Sequence, residues 1–169
     1  MNIVCFGAHP DDCECFAGGT AIKWAQQGHH VVFVSMTNGD AGHFAMGGGP
    51  LAARRAMEAQ ISAERGGVQA LVLGYHDGEL EVTLEARREV VRIIRRYQAD
   101  LVLTHRPNDY HPDHRYASIL VQDAAFMVTV PNFCPESPRL ERNPVFLYMS
   151  DGFTKPTRFA PDIAVDVSD

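Results

Sequence analysis

Short apolar runs alternate with longer amphipathic stretches along most of the chain. Residues 2–7, 31–36, 70–73, 101–104, 145–149 and 163–167 are rich in valine, isoleucine, leucine and phenylalanine, with few charges. Continuous apolar runs of this length, closed by turn residues, predict strands buried on both faces. Between them the pattern predicts helices over 16–27, 51–65, 84–97 and from about 112 to 128. Gly28 and the Gly66-Gly67 pair act as stop signals. Val90, Val91, Ile94 and Tyr97 make the apolar stripe of the third helix. The arginines of that helix, Arg87, Arg88, Arg92, Arg95 and Arg96, interleave with Glu85 and Glu89 and read as a solvated face. Residues 37–50, with three consecutive glycines, and 130–144, rich in proline, read as loops.

Strand–helix alternation predicts a parallel sheet with right-handed crossovers and helices on both faces. The expected architecture is an α/β fold, a Rossmann-like doubly wound, mostly parallel sheet of order 3-2-1-4-5. A length of 169 residues suits one domain, 1–169, burying about two-thirds of the surface of its unfolded chain. Residues 163–167 would form a sixth strand with nothing after it, so a C-terminal part is expected beyond this point.

Composition narrows the partners. The net charge is −6 and no long basic run occurs, which argues against nucleic acid. No apolar run is long enough for membrane insertion. The chain enters its first strand with no signal-peptide pattern, which makes the cytoplasm the expected compartment. Self-association into a homo-oligomer is left open. Cys13 and Cys15 flank Glu14, yet no second cysteine pair completes a thiolate zinc site, and Cys5 reads as core.

Two polar clusters stand out. Ala8-His9-Pro10-Asp11-Asp12-Cys13-Glu14 follows the first strand, and His105 to His114 follows the fourth. Adjacent Asp11 and Asp12 repel each other and gain nothing for stability, so a metal or a catalytic task explains them. In the expected order, strands one and four are neighbours whose helices leave on opposite faces. Their carboxyl ends bound the crevice where such sheets bind ligands. The clusters therefore meet, and His9, Asp12, His111 and His114 are candidate ligands. Catalytic zinc takes three protein ligands and keeps a position for water. His9, Asp12 and one of the two later histidines supply two imidazoles and a carboxylate. Pro112 suits the first helical position, which puts His114 in the first turn and His111 just outside it. Asp11 remains free to act on a bound water. His43 and His76 lie in loops on the same side of the sheet, within reach of a substrate.

These motifs resemble those of the LmbE-like, or PIG-L-like, zinc deacetylases of N-acetylglucosamine conjugates. The resemblance rests on Ala8 to Glu14 and on His111-Pro112-Asp113-His114, with weaker echoes in 37–42 and in Arg55-Ala56-Met57-Glu58. It implies one Zn2+ per chain, with ferrous iron as a second choice, held by His9, Asp12 and His114. It further implies Asp11 as general base, His111 as the group that polarises or protonates, and Arg55 and Asp77 as contacts to the sugar. The implied partner is an acylated amino-sugar conjugate, and the implied reaction hydrolysis of its N-acyl amide. Two other classes are open. A metal-dependent phosphoesterase would recruit Asp109 and Asp113, with Asp11 and Asp12, around a second ion. A non-catalytic sugar- or nucleotide-binding module would have no use for Asp11, and no Gly-x-Gly-x-x-Gly follows strand one.

Overall fold

The chain runs β1 (Asn2–Gly7), α1 (Asp12–Gln26), β2 (His30–Thr37), α2 (Gly48–Gly66), β3 (Gln69–Tyr75), α3 (Leu84–Arg96), β4 (Leu101–Thr104), α4 (Pro112–Met127) and β5 (Val145–Tyr148) in the computed structural model, which describes residues 1–168. The strands form one sheet in the order β3-β2-β1-β4-β5, every neighbouring pair parallel. This is the doubly wound α/β architecture that the alternation predicts.

Period-two alternation divides the core between two faces. Val4 and Phe6 of β1 join Val32 and Val34 of β2 and pack on Val90, Ile94, Leu120 and Val121 of α3 and α4. Ile3 and Cys5 point the other way, with Val31, Phe33 and Leu103, against Ala17 and Ala21 of α1. Among the described residues no helix is long and apolar enough to cross a membrane.

Four expectations are corrected. Helix α1 starts at Asp12, not at residue 16. Its first turn is too polar for hydrophobic periodicity to register, although Cys13 is buried and donates its thiol to the Cys5 carbonyl at 3.3 Å. Helix α2 starts at Gly48, which shortens the glycine-rich loop, since Pro50 lacks only an N–H that a first turn leaves unpaired anyway. No strand forms over residues 163–167. That segment crosses α1 instead: Lys23 Nζ donates to the Asp166 carbonyl at 2.8 Å, and Val167 fills the space over Gly19, where a Cβ would come within 3.1 Å of it. Finally, Arg95 is not on a solvated face. It is 1% exposed, and its guanidinium addresses six backbone carbonyls, those of Met127, Val128, Val130, Phe133, Cys134 and Ser137. It thereby fastens the C-terminal end of α4 and the loop after it to α3.

Candidate functional site

Strands β1 and β4 lie side by side with Phe6 opposite Thr104, so both end at the same level and release their loops together. Gly7 closes β1 because a Cβ there would come 2.7 Å from Asp12 Cβ, so only glycine lets α1 begin so close to the strand. The Ala8 N–H donates to His105 Nε2 at 3.1 Å, and the Ala8 carbonyl accepts from the Thr37 N–H and hydroxyl at 2.8 and 2.9 Å. The loop's backbone is thus tied to both neighbouring strand ends.

Three residues approach one another, Asp12 meeting the two imidazoles through different oxygens. His9 Nδ1 is 3.2 Å from His114 Nε2 and 3.5 Å from Asp12 Oδ2, and His114 Nε2 is 3.4 Å from Asp12 Oδ1. A tetrahedral ion with bonds of about 2.0–2.1 Å separates its ligand atoms by about 3.3 Å, so this set fits a small divalent cation of zinc's kind. Three triads of ligand atoms lie within 4.8 Å of one another among the described residues: His9–His111–His114, Asp12–His105–His114 and His9–Asp77–Asp113. His105 Nε2 is already engaged by Ala8, and its ring stacks on His114 with centroids 4.1 Å apart and planes at 7°. Its place directly after β4, at the carboxyl end of a central strand, is the signal in the sequence that marks His105 as a neighbour of this site.

A second layer sets the tautomers. His9 Nε2 lies 3.2 Å from Asp113 Oδ2 and 3.2 Å from Asp77 Oδ1. His114 Nδ1 lies 2.8 Å from Asp109 Oδ2. In the neutral rings, a proton on each of these outer nitrogens would leave His9 Nδ1 and His114 Nε2 as lone-pair donors facing inward. Asp113, fully buried, also accepts the Gly78 and Leu80 N–H groups, and Asp109 accepts the His111 N–H. Both carboxylates are therefore committed behind the histidines. The two-ion phosphoesterase arrangement would need these carboxylates free beside Asp11 and Asp12.

A cavity of about 230 Å³ opens between the loops, lined by His9, Asp11, Arg55, Asp77, His111 and His114 with Gly39 and Gly42. Asp11 occupies the N-cap of α1 but makes no capping bond with its side chain. Its carboxylate is half exposed and is met by Arg55 Nη2 at 2.6 Å. His111 is the N-cap of α4, and its Nδ1 accepts the Asp113 N–H at 3.3 Å, which places the neutral ring's proton on Nε2. Arg55 and Asp77 line the cavity as well, each with a protein partner already in place. The other loop histidines stand apart from it: His43 Nδ1 accepts the Ala45 and Met46 N–H groups of its own turn, and exposed His76 pairs with Asp40 at 2.6 Å.

Electrostatics separate the two inward imidazoles. Burial opposes a charge on His9, but the Asp12 hydrogen bond and the charges of Asp12, Asp77 and Asp113 outweigh it and raise its pKa to about 9. Burial dominates at His114 and lowers its pKa. Burial also works against the Asp12 carboxylate, yet the His105 and His9 imidazoles beside it hold it well below the usual carboxylate range.

The profile of the GlcNAc-PI de-N-acetylase family, PIG-L, matches residues 4–125. The diacetylchitobiose deacetylase of Thermococcus kodakarensis is 38% identical over 138 residues, 78% of this chain and 52% of that protein. A probable N-acetyl-alpha-D-glucosaminyl L-malate deacetylase 2 of Bacillus anthracis is 30% identical over 133 residues, 73% of this chain and 58% of its own length. The chain spans about half the length of these curated relatives. Among solved structures, the N,N'-diacetylchitobiose deacetylase of Pyrococcus horikoshii, complexed with its inhibitor MPG, superposes with a TM-score of 0.86 at 29% identity, covering 98% of this chain and 64% of its own. GalB, the 4-carboxy-2-hydroxymuconate hydratase of Pseudomonas putida KT2440, shares the fold at a TM-score of 0.87 and 23% identity, covering 99% of this chain and 73% of its own.

Proposed function

The chain belongs to the GlcNAc-PI de-N-acetylase (PIG-L) family, and from that premise we propose that it hydrolyses the N-acyl amide, chiefly an acetamide, of an N-acetylglucosamine-type conjugate. The ion we assign is a single zinc, held by His9, Asp12 and His114, with ferrous iron as the other cation suited to two imidazoles and a carboxylate. The observation that carries this reading is the 3.2–3.5 Å approach of His9 Nδ1, His114 Nε2 and the two Asp12 oxygens, beside a cavity that Asp11 and His111 line.

Held by His9, Asp12 and His114, a zinc ion would supply Lewis acidity toward water and the amide carbonyl. The residues of the chain do the rest. Asp11 takes a proton from the attacking water. His111 Nε2–H donates to the oxygen on which charge develops, where a positioned donor in a dry site is most effective. The C–N bond breaks as the amine gains a proton from Asp11 or His111, releasing the carboxylate and the free amino sugar. Arg55 and Asp77, on the cavity wall, contact the sugar hydroxyls.

The test separates the adjacent aspartates. Asp11→Asn keeps size and polarity but accepts no proton, so it should retain zinc and lose about 10²–10⁴ in kcat for acetate release. Asp12→Ala removes a ligand, so metal and activity should fall together. An Asp11→Asn protein with full rate would exclude the base role. One that loses its metal while Asp12→Ala keeps it would reverse the assignment.

A further inference from the structure

A groove of about 400 Å³ runs between α1 and α2 and shares no lining residue with the candidate cavity. Ile22 of α1 lines one side, and Glu58, Ile61, Ser62, Arg65 and Gly66 of α2 line the other. Its apolar side chains are left out of the core. Ile22 and Ile61 are 42% and 43% exposed, and Met57, one turn before Ile61, is 64% exposed. Gly66 keeps the groove hollow, since a Cβ there would lie 3.4 Å from Ile22 Cγ1 and begin to fill it.

On α2 these residues form two neighbouring ridges with a spacing of four, Met57-Ile61-Arg65 and Glu58-Ser62-Gly66. Turned end for end, each ridge matches the other. A point between Ile61 and Ser62 is equally far along the helix from Glu58 and Arg65, and from Met57 and Gly66. A second α2 laid antiparallel across a two-fold axis at that point sets Ile61 against Ser62, Glu58 against Arg65 and Met57 against the hollow at Gly66, each contact being made twice. The charges suit this arrangement. Arg65 makes no ion pair among the described residues. Glu58 accepts Arg54 Nε at 2.8 Å and Arg55 Nη1 at 3.4 Å, which leaves its carboxylate further acceptor positions.

We propose that this groove docks a second copy of the chain, through an antiparallel α2–α2 contact about a two-fold axis between Ile61 and Ser62. The contact uses none of the residues that line the candidate cavity. A helix of 19 residues is roughly 28 Å long, so one helix face with the α1 flank stands at the small end of stable interfaces, which bury about 800 Å² per partner. The expected dimer is therefore weak, with a Kd on the order of 10 µM.

The experiment is sedimentation of the full chain from about 1 to about 200 µM, beside Ile61→Glu, Arg65→Glu and the double variant Glu58→Arg with Arg65→Glu. All three positions lie on the surface, and circular dichroism checks that each variant folds. The unaltered chain should pass from monomer to dimer over this range. Ile61→Glu should stay monomeric, because it puts a carboxylate at the centre of the contact. Arg65→Glu should raise Kd at least about tenfold, since it sets two carboxylates face to face at both ends. The double variant should return Kd to within a few-fold of the original, because the swapped charges pair again across the axis. An unaltered chain that is monomeric throughout overturns the proposal and leaves the groove to a different partner. An oligomer that survives Ile61→Glu and Arg65→Glu overturns it too, since another face then holds the copies together. A double variant as weak as Arg65→Glu alone overturns the antiparallel pairing.

Discussion

Arg55 Nη2 donates to Asp11 Oδ2 at 2.6 Å and to the Pro10 carbonyl at 2.9 Å. One guanidinium on α2 thus braces both the carboxylate assigned as base and the loop that carries it. Gly39, at φ +68°, allows the same close approach, since a Cβ there would meet Pro10 Cδ at 3.0 Å and Arg55 Cγ at 3.4 Å. Arg55→Ala should therefore lower kcat by about tenfold as well as raise KM, because the base loses its orientation. Arg55→Lys should recover only part of this, since an ammonium is a point charge without a planar fork. Steady-state kinetics decide: a change confined to KM would leave Arg55 as a sugar contact alone.

Asp113 and Asp109 hold the outer nitrogens of His9 and His114 at 3.2 and 2.8 Å. Asp109→Asn should weaken metal affinity by about 10–100-fold, measured by competition with a chelating dye. Asp113→Asn should do the same and also lower thermal stability, because its amide nitrogen must face the Gly78 or Leu80 N–H. Affinities equal to that of the unaltered chain would remove these carboxylates from the metal's support.

The strand order was legible because a parallel sheet leaves its mark as uniformly apolar runs, and the order alone brings residue 9 beside residue 114. What the sequence hid was polar. Helix α1 begins in a stretch of carboxylates where periodicity is silent. Arg95 sits one turn after Val91, on the apolar side of α3, but a guanidinium among arginines looks like surface until its carbonyl partners come from a loop more than thirty residues away. Residues 163–167 carry strand-like composition, yet they pack over Gly19 of α1, a contact between distant segments that local pattern does not encode.

Arg95 gives a test of that hidden contact. Six carbonyls converge on a side chain that is 1% exposed. Arg95→Lys keeps the charge but satisfies at most three acceptors, and should cost about 2–4 kcal/mol in urea unfolding. Arg96→Lys, on the exposed neighbour, should stay within about 0.5 kcal/mol. Equal effects at the two positions would mean that Arg95 is not the fastening.

The opposed shifts of His9 and His114 predict a pH dependence for the metal-free chain. With a pKa raised from 6.5 to about 9, His9 is an imidazolium at neutral pH, donating to Asp12 on one side and to Asp77 and Asp113 on the other. Its ion pairs add stability that is fully present below pH 6.5 and lost as pH rises toward 9, so thermal unfolding of the metal-free chain should move to lower temperature over that window. Metal binding inverts the trend, because a cation needs the Nδ1 lone pair. His114, lowered by burial, is already neutral at pH 7.5, and Asp12 is already ionised, so His9 alone must give up a proton. Zinc uptake at pH 7.5 should therefore release about one proton per ion, with apparent affinity rising about tenfold per pH unit until it levels near 9. Titration calorimetry in buffers of different ionisation enthalpy counts that proton. A count of zero would mean that His9 is neutral before the metal arrives, and a count of two would mean that His114 is protonated as well.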